Sequence, residues 1–347
     1  LYEEMKRFVA RRENFQLSVE AKKQFKRDFE TRVDEAYRRR GRRVWLKVVS
    51  YAAMLALPII AGILLWTRQP VEDVVDYGIG PIEHGVRKAT LVLNDGKVLA
   101  LDTSRMTLKE IDGVTIHTND QALVYVDSLD NKGVNLQNRL ITPKGGEYTI
   151  MLADGTKVWV NAATEIRYPV KFAGKERRVR LGGEAYFEVA HDTTRPFVVE
   201  TEQAKVKVLG TSFDVSAYEE EGKTWTTLEE GMVEIESLDR GEKIRMVPGE
   251  QICLIEGKGM EKYKVETALF TSWRSGRLVF KDMRLEELMR NMARWYDVKV
   301  EFYREEAKDI VFTGDVKKYE DLNEVLEIIE LTSDVHFTIE EQRIIVH

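Results

Sequence analysis

The sequence predicts a single-pass membrane protein whose bulk is a mostly antiparallel all-β domain followed by a small α+β domain. Three observations predict it. The run from Val44 to Trp66 is apolar apart from Lys47, and a bilayer core takes about 20 such residues as a helix. Past Arg68, Val, Ile, Thr and Tyr are dense and turn signals recur at short intervals, which is the texture of short strands. After Trp273, apolar residues twice adopt helical spacing between short strands.

The apolar run comes first because it divides the chain. Arg38, Arg39, Arg40, Arg42 and Arg43 precede it, whereas Arg68 and then Glu72, Asp73 and Asp76 follow it. Lys and Arg stay on the cytoplasmic side, so the short N-terminal piece is expected inside and the long C-terminal piece outside. The 43 residues before the run, and the lack of a small-residue cleavage site after Trp66, argue against a cleaved signal peptide. The pattern Arg42-Arg43-Val44-Trp45-Leu46-Lys47 also resembles a twin-arginine export signal, although an Arg-rich flank produces paired arginines by chance. Nucleic acid is not expected as a direct partner. The arginines abut an apolar span, and the net charge is -6.

Composition excludes other classes. With 43% hydrophobic and 32% charged residues the remainder is globular rather than disordered. The lone Cys253 forms no internal disulfide, and the five histidines have no metal-ligand spacing, so no metal or cofactor is expected. The chain begins at Leu1 rather than Met, and the inside segment is expected to lack upstream residues.

Within residues 1–43, Ser18 offers an N-cap with Glu20 in the first turn. Ala21, Phe25, Phe29, Val33 and Ala36 then follow at steps of three and four, an amphipathic helix with an aromatic stripe. So short a segment cannot bury that face by itself. The stripe expects either a missing helix of the same domain or another protein's groove.

Outside, Leu91–Asp102 and Ile150–Asn161 share one pattern of apolar strand, Asp-Gly turn and apolar strand. Each reads as a hairpin, with Asp95 and Asp154 as turn residues and glycine accepting positive φ. Further strands are expected over 178–181, 185–189, 197–201, 205–209, 213–218, 224–228, 232–236 and 251–254, with Gly182-Gly183, Gly210, Gly231 and Pro248-Gly249 as punctuation. These suit an antiparallel sandwich, barrel or roll. Beyond Trp273, Leu285, Leu288, Met289, Met292 and Trp295 mark one helix, and Leu322, Val325, Leu326, Ile329 and Leu331 a second. The order β-α-β-β-α-β-β reads as two short βαβ halves. Its last hairpin, 335–346, is a candidate edge for strand addition.

At this point the residues resemble a known family. The ordered series TPKGGEYTIMLADGTKVWVNAATEIRYPVKF, LGGEAYFEVAHDTTRPFVVET, VKVLGTSFDVSAY, TLEEGMVEI and VPGEQ is similar to the FecR-type transmembrane anti-sigma factors. The ending, FKDMRLEELMRNMARWYDVKVEF through DLNEVLEIIELTSDVHFTIEEQRIIVH, resembles the C-terminal module of the Bacteroides-type branch, itself similar to the short N-terminal domain of secretins and TonB-dependent receptors. The resemblance implies five stretches: a cytoplasmic helical anti-sigma segment at 1–43, a transmembrane helix at 44–66, a periplasmic linker at 67–88, a FecR-like β domain at 89–270 and the secretin-like module at 271–347.

The resemblance also implies a role and a place. The protein would sit in a bacterial inner membrane with its N-terminus cytoplasmic and its bulk periplasmic. Inside, the face built on Ala21, Phe25, Phe29, Val33 and Ala36 would hold an extracytoplasmic-function sigma factor. Outside, the β domain would meet the signalling domain of an outer-membrane TonB-dependent receptor. Intramembrane and periplasmic proteases commonly carry the signal in this family. In some members the chain breaks itself at a Gly-Thr, by threonine attacking the preceding carbonyl. Gly210 and Thr211 stand in that context here, where a glycine at a strand bend is the structural alternative. The inside segment is shorter than the usual family domain.

Other residues read as structure. Glu184, Tyr186 and Phe187 mark strand packing, and Trp159, Trp225 and Trp273 fill core or interface. An enzyme is not expected, since the chain has no GxSxG, HExxH, P-loop or Rossmann glycine run. The alternative role is a membrane-anchored periplasmic adaptor or assembly protein, which needs no inside partner.

Overall fold

The computed structural model describes residues 85–102, 107–109, 115–118, 122–126, 136–318 and 321–347. All belong to one compact unit, Gly78–His347. The apolar run at 44–66, the arginines before it and the aromatic stripe at 21–36 lie outside the described residues. Among the described residues no helix is long and apolar enough to cross a membrane.

The unit is mostly β. Its strands are β1 (Val86–Arg87), β2 (Ala89–Val92), β3 (Val98–Leu101), β4 (Thr107–Lys109), β5 (Thr115–Thr118) and β6 (Leu123–Val126). They continue through β7 (Gln137–Thr142), β8 (Gly146–Met151), β9 (Lys157–Val160), β10 (Thr164–Pro169), β11 (Arg177–Glu188), β12 (Phe197–Glu200) and β13 (Ala204–Val208). The last of the β region are β14 (Ser212–Ala217), β15 (Lys223–Glu230), β16 (Val233–Ser237), β17 (Lys243–Met246), β18 (Glu250–Ile255) and β19 (Gly259–Lys264).

Pairing resolves these into two layers. One runs β3-β2-β7-β10-β11-β12-β13-β16-β17. The other runs β4-β5-β6-β8-β9-β11-β14-β15-β18-β19. Most pairs are antiparallel; β1–β8, β6–β8 and β11–β12 are parallel. β11 belongs to both layers.

The core lies between them and follows the period-two alternation of each strand. Leu91, Leu140, Ile166, Val179, Phe197, Val206 and Ile235 face it from the first layer, and Ile150, Val158, Phe187, Phe213, Leu228 and Ile252 from the second. Phe187 stacks on Phe213 at 5.2 Å and meets Phe197 across the layers at 6.1 Å.

Both Asp-Gly echoes are hairpins, β2–β3 in one layer and β8–β9 in the other. Gly96 and Gly155 take φ 83° and 85°, and the Asp95 and Asp154 carboxylates each accept the N–H two residues on. The glycine pair 182–183, by contrast, does not end a strand. β11 runs straight through it and changes layers there, pairing with β10 up to Gly182 and with β14 from Gly183. Gly183 sits at φ 106°, and a Cβ there would strike Thr164. A corner shared by two sheets needs such a kink, and glycine supplies it without a side-chain clash. β17 and β19 are strands that the apolar pattern does not mark. Each is an outermost strand of its layer, and KIRM and GMEKYK carry the charges that protect an exposed edge.

A short helix α1 (Ala268–Thr271) leads into the C-terminal module. There β20 (Arg277–Arg284), α2 (Leu285–Trp295), β21 (Lys299–Phe302), β22 (Val311–Lys317), α3 (Leu322–Leu331), β23 (Phe337–Glu340) and β24 (Arg343–Val346) follow in the expected order. The two βαβ halves do not form. β20 pairs with β22, whereas β21 pairs with β24, which also pairs with β23. The strands flanking each helix therefore lie in different sheets. Leu288, Met289 and Met292 of α2 and Val325, Leu326 and Ile329 of α3 lie in the module's core, and Asp321 caps the N-terminus of α3 by accepting the Asn323 N–H at 2.8 Å. Leu331 falls on the exposed side of α3.

One ion pair organises the start of β11. Arg177 and Asp154 expose 1% and 5% of their side chains and meet at 2.8 Å. Arg177 also donates to the carbonyls of Ala190 (2.7 Å), Arg195 (2.9 Å) and Leu209 (3.4 Å). It thus joins the β8–β9 turn to the segments before β12 and β14. Removing one partner leaves a buried charge unpaired, so Arg177→Met should lower the urea-unfolding free energy by about 3–5 kcal/mol. Adding Asp154→Asn should restore part of that loss.

Candidate functional site

The joint between the β layers and the C-terminal module concentrates the buried charge of the described unit. Past the glycine kink, β11 alternates Ala185 and Phe187 into the interlayer core with Glu184, Tyr186 and Glu188 on the opposite face. β14 places Asp214 opposite Tyr186 and Ser216 opposite Glu184 in register. Of the residues read as strand packing, only Phe187 is that alone.

The module covers this face with four polar anchors. Trp273 donates its indole N–H to Asp214 at 3.1 Å. Arg274 lies 3.9 Å over the Tyr186 ring and bridges Glu229 (3.0 Å) and Glu188 (3.2 Å), while the Tyr186 hydroxyl donates to Glu229. Arg294 of α2 lies 3.7 Å over the Tyr218 ring and pairs with Glu221, with Glu220 at 3.4 Å. Lys318 pairs with Glu147, donates to Asn161 at 3.3 Å and sits 4.8 Å over Trp295. Asn161 in turn donates to Glu184 at 2.5 Å. The Gly145 N–H adds a main-chain bond to the Arg294 carbonyl at 2.7 Å. Ala162 and Tyr186 pack within the same apolar cluster as the module's helices.

Burial dominates the acid–base behaviour. It holds the Asp214 carboxyl well above the ordinary carboxylate range, with the Glu184 charge adding to the rise and the Trp273 hydrogen bond opposing it. Burial likewise raises Glu184, opposed by the Asn161 hydrogen bond and Arg294. The Tyr186 and Tyr218 hydroxyls are also raised by burial. Beside these groups lies a cavity of about 150 Å³ between β14, β15 and α2, edged by Glu184, Asp214, Lys223, Arg290 and Arg294. The arrangement is suited to holding two parts of a chain together in a charge-dependent way. Among the described residues no group of histidines, cysteines and carboxylates could hold a metal ion.

Gly210 and Thr211 sit on the far side of β14's start. The Thr211 hydroxyl donates to the Met232 carbonyl at 3.0 Å and accepts the Met232 N–H at 3.4 Å. His191 presses on Gly210, where a Cβ would come within 2.5 Å of its Nδ1. Nothing in the sequence marks His191, which stands 19 positions upstream of Gly210. Trp225 packs at the second layer's surface against Tyr263. Cys253 is buried, its thiol pushed up to about 11 by burial.

Comparison with known proteins bears on this joint. The profile described as FecR protein matches residues 138–234, and the profile described as FecR, C-terminal matches residues 277–346. Two crystal structures of an inferred anti-sigma factor from Parabacteroides distasonis ATCC 8503, at 1.65 and 2.50 Å resolution, are similar at 31% identity. They align with TM-scores of 0.56 and 0.57, over 60% and 61% of this chain and 98% of theirs. The chain belongs to the FecR family. No curated protein matches it. The two FecR segments meet at the joint: Glu147, Asn161, Glu184, Asp214 and Glu221 come from the first and Arg294 and Lys318 from the second. Trp273 and Arg274 lie in the stretch between them.

The raised carboxyls set a pH dependence. A carboxyl with a higher pKa folded than unfolded keeps a proton that the unfolded chain loses. Its contribution to stability is therefore present in acid and falls as pH rises above about 4, by up to about 1.4 kcal/mol per pH unit. Urea unfolding between about pH 5 and pH 8 should show stability falling in the wild type and falling less steeply in Asp214→Asn, which still accepts the Trp273 N–H.

Proposed function

We propose that this FecR-family protein is an anti-sigma regulator that spans the bacterial inner membrane once and relays an outside signal to a cytoplasmic sigma factor. Membership of the family across both of its segments carries the reading, together with the likeness to an inferred anti-sigma factor. The family is regulatory rather than enzymatic. The residues outside the described unit supply the rest of the argument. The apolar run Val44–Trp66, with arginines before it and acids after it, sets the topology. The Phe25/Phe29 face is the surface offered to an extracytoplasmic-function sigma factor.

Outside, the unit from β1 to β24 would meet the signalling domain of a TonB-dependent receptor. β23 pairs only with β24 among the described strands, which leaves an edge for strand addition. Transmission by proteolysis suits the construction. One helix conveys a small tilt poorly, whereas loss of a sheet strand is all-or-none. Self-cleavage at Gly210–Thr211 would supply such a break: the Thr211 oxygen adds to the Gly210 carbonyl carbon, the amide nitrogen leaves as an amine, and water hydrolyses the ester. His191, packed against Gly210, would take the hydroxyl proton and return it to the departing amine. Thr211 would first leave its Met232 hydrogen bonds.

A detergent pull-down of the tagged full chain from native cells should recover a sigma factor. That recovery should be lost in the double variant Phe25→Asp/Phe29→Asp; recovery of envelope proteins alone would contradict the reading. Gel analysis of the purified chain should show a fragment pair with a new N-terminus at Thr211, absent in Thr211→Val and slowed in His191→Ala. An intact wild-type chain would remove self-cleavage from the mechanism and leave the sigma reading standing.

A further inference from the structure

At the joint a lysine, a carboxamide and a carboxyl meet in a way that ion pairing alone does not require. Asn161 follows β9, Glu184 lies just past the kink in β11, and Lys318 follows β22. Lys318 and Asn161 are both buried. The Lys318 Nζ donates to the Asn161 Oδ1 at 3.3 Å, and the Asn161 Nδ2 donates to Glu184 at 2.5 Å. The same Oδ1 accepts the Ala162 main-chain N–H at 2.9 Å. Glu147 accepts a second hydrogen bond from Lys318. The Trp295 and Trp273 rings enclose the ammonium, with centroids 4.8 and 5.6 Å from Nζ.

An amine held against a carboxamide can displace its ammonia when four further needs are met. A base must take a proton from the ammonium, because only the free amine attacks. A donor must hold the oxygen on which charge develops. An acid must protonate the leaving nitrogen. Water must be kept from competing. Glu147 is the base in contact with Nζ, and the Ala162 N–H is the donor already on Oδ1. Glu184 touches the nitrogen that would leave, and burial makes its carboxyl hold a proton more readily than an ordinary glutamate does. The two tryptophans form the dry wall. Glu184 also edges the cavity beside α2, which gives the ammonia a space to enter.

We propose that Lys318 and Asn161 join through an isopeptide bond between Nζ and Cγ, with release of ammonia. Glu147 takes a proton from the Lys318 ammonium, and Nζ moves from the oxygen onto the adjoining Cγ and adds to it. Glu184 gives a proton to Nδ2, the Cγ–Nδ2 bond breaks, and ammonia leaves. The surplus proton on the new amide nitrogen returns to Glu184. Nothing is oxidised or reduced, and no outside reactant is consumed. The bond ties the β layers to the C-terminal module across 157 positions of chain, and a closed loop of that length restricts the unfolded state. It depends on neither the sigma reading nor self-cleavage. Since it spans Gly210–Thr211, fragments of a chain cut there separate in denaturant only in molecules without the bond. A new N-terminus at Thr211 reports the cut in either case.

The test weighs the full chain, purified in detergent and then denatured, by intact mass spectrometry, and maps its tryptic peptides. The wild type should be lighter than its sequence by one ammonia and should yield a branched peptide containing both Asn161 and Lys318. Lys318→Met and Asn161→Ala should each keep their full mass and lose the branched peptide. Glu184→Gln, which still accepts from Asn161 but supplies no acidic proton, should form the bond on the order of 100-fold more slowly. Most of its freshly purified chains should therefore keep full mass. A wild-type chain that stays at full mass after prolonged incubation would overturn the proposal without reliance on any variant. Ammonia loss that persists in Lys318→Met would also overturn it, since the asparagine would then be closing on its own backbone.

Discussion

The described unit depends on one strand serving two sheets. β11 crosses from the first layer to the second at Gly182–Gly183, and the kink at Gly183 is possible only because no Cβ meets Thr164. Before the kink, Arg177 enters the interior and gathers the β8–β9 turn and the segments ahead of β12 and β14. After it, the same strand presents Ala185 and Phe187 to the core and Glu184, Tyr186 and Glu188 to the C-terminal module. A single covalent element therefore connects the interlayer packing to the joint.

That joint is held by charge and aromatic contact as much as by oil. Arg274 on Tyr186, Arg294 on Tyr218 and Lys318 on Trp295 each combine a cation–π contact with a carboxylate partner. Buried ion pairs add little net stability over apolar packing, but they penalise any misaligned arrangement, because a displaced partner leaves a desolvated charge. For an anti-sigma regulator of this family, one defined arrangement with an abrupt loss is more useful than extra stability. Asp214 and Glu184, kept near one another within this charge set, make the arrangement sensitive to local protonation.

Much of this was legible in the sequence where local chemistry decides the outcome. The Asp-Gly hairpins follow from the turn residues, and the helices at 285–295 and 322–331 from apolar spacing. Gly182-Gly183 misled because a glycine pair usually ends a strand, whereas here the sheet partners hold the strand through it. The edge strands β17 and β19 were hidden by the charges that protect them. The joint was largely invisible for a different reason. Asp154 is a turn residue as read, yet its ion-pair partner lies 23 positions on, and Lys318 contacts Glu147 across 171 positions. Arg294 and Lys318 look like solvated charges until the fold brings acids to them. The alternation in GGEAYFEV was the available signal, since it puts Glu184, Tyr186 and Glu188 together on one face.

The central claim is that the β layers and the C-terminal module open as one body through β11 and its joint. Native-state hydrogen exchange on the full chain tests it directly. The amides of Arg177–Glu188 and of the helix Leu285–Trp295 should share one opening free energy and respond to denaturant with the same slope. A helix that exchanges through its own opening, at much lower free energy, while β11 stays protected would contradict the account.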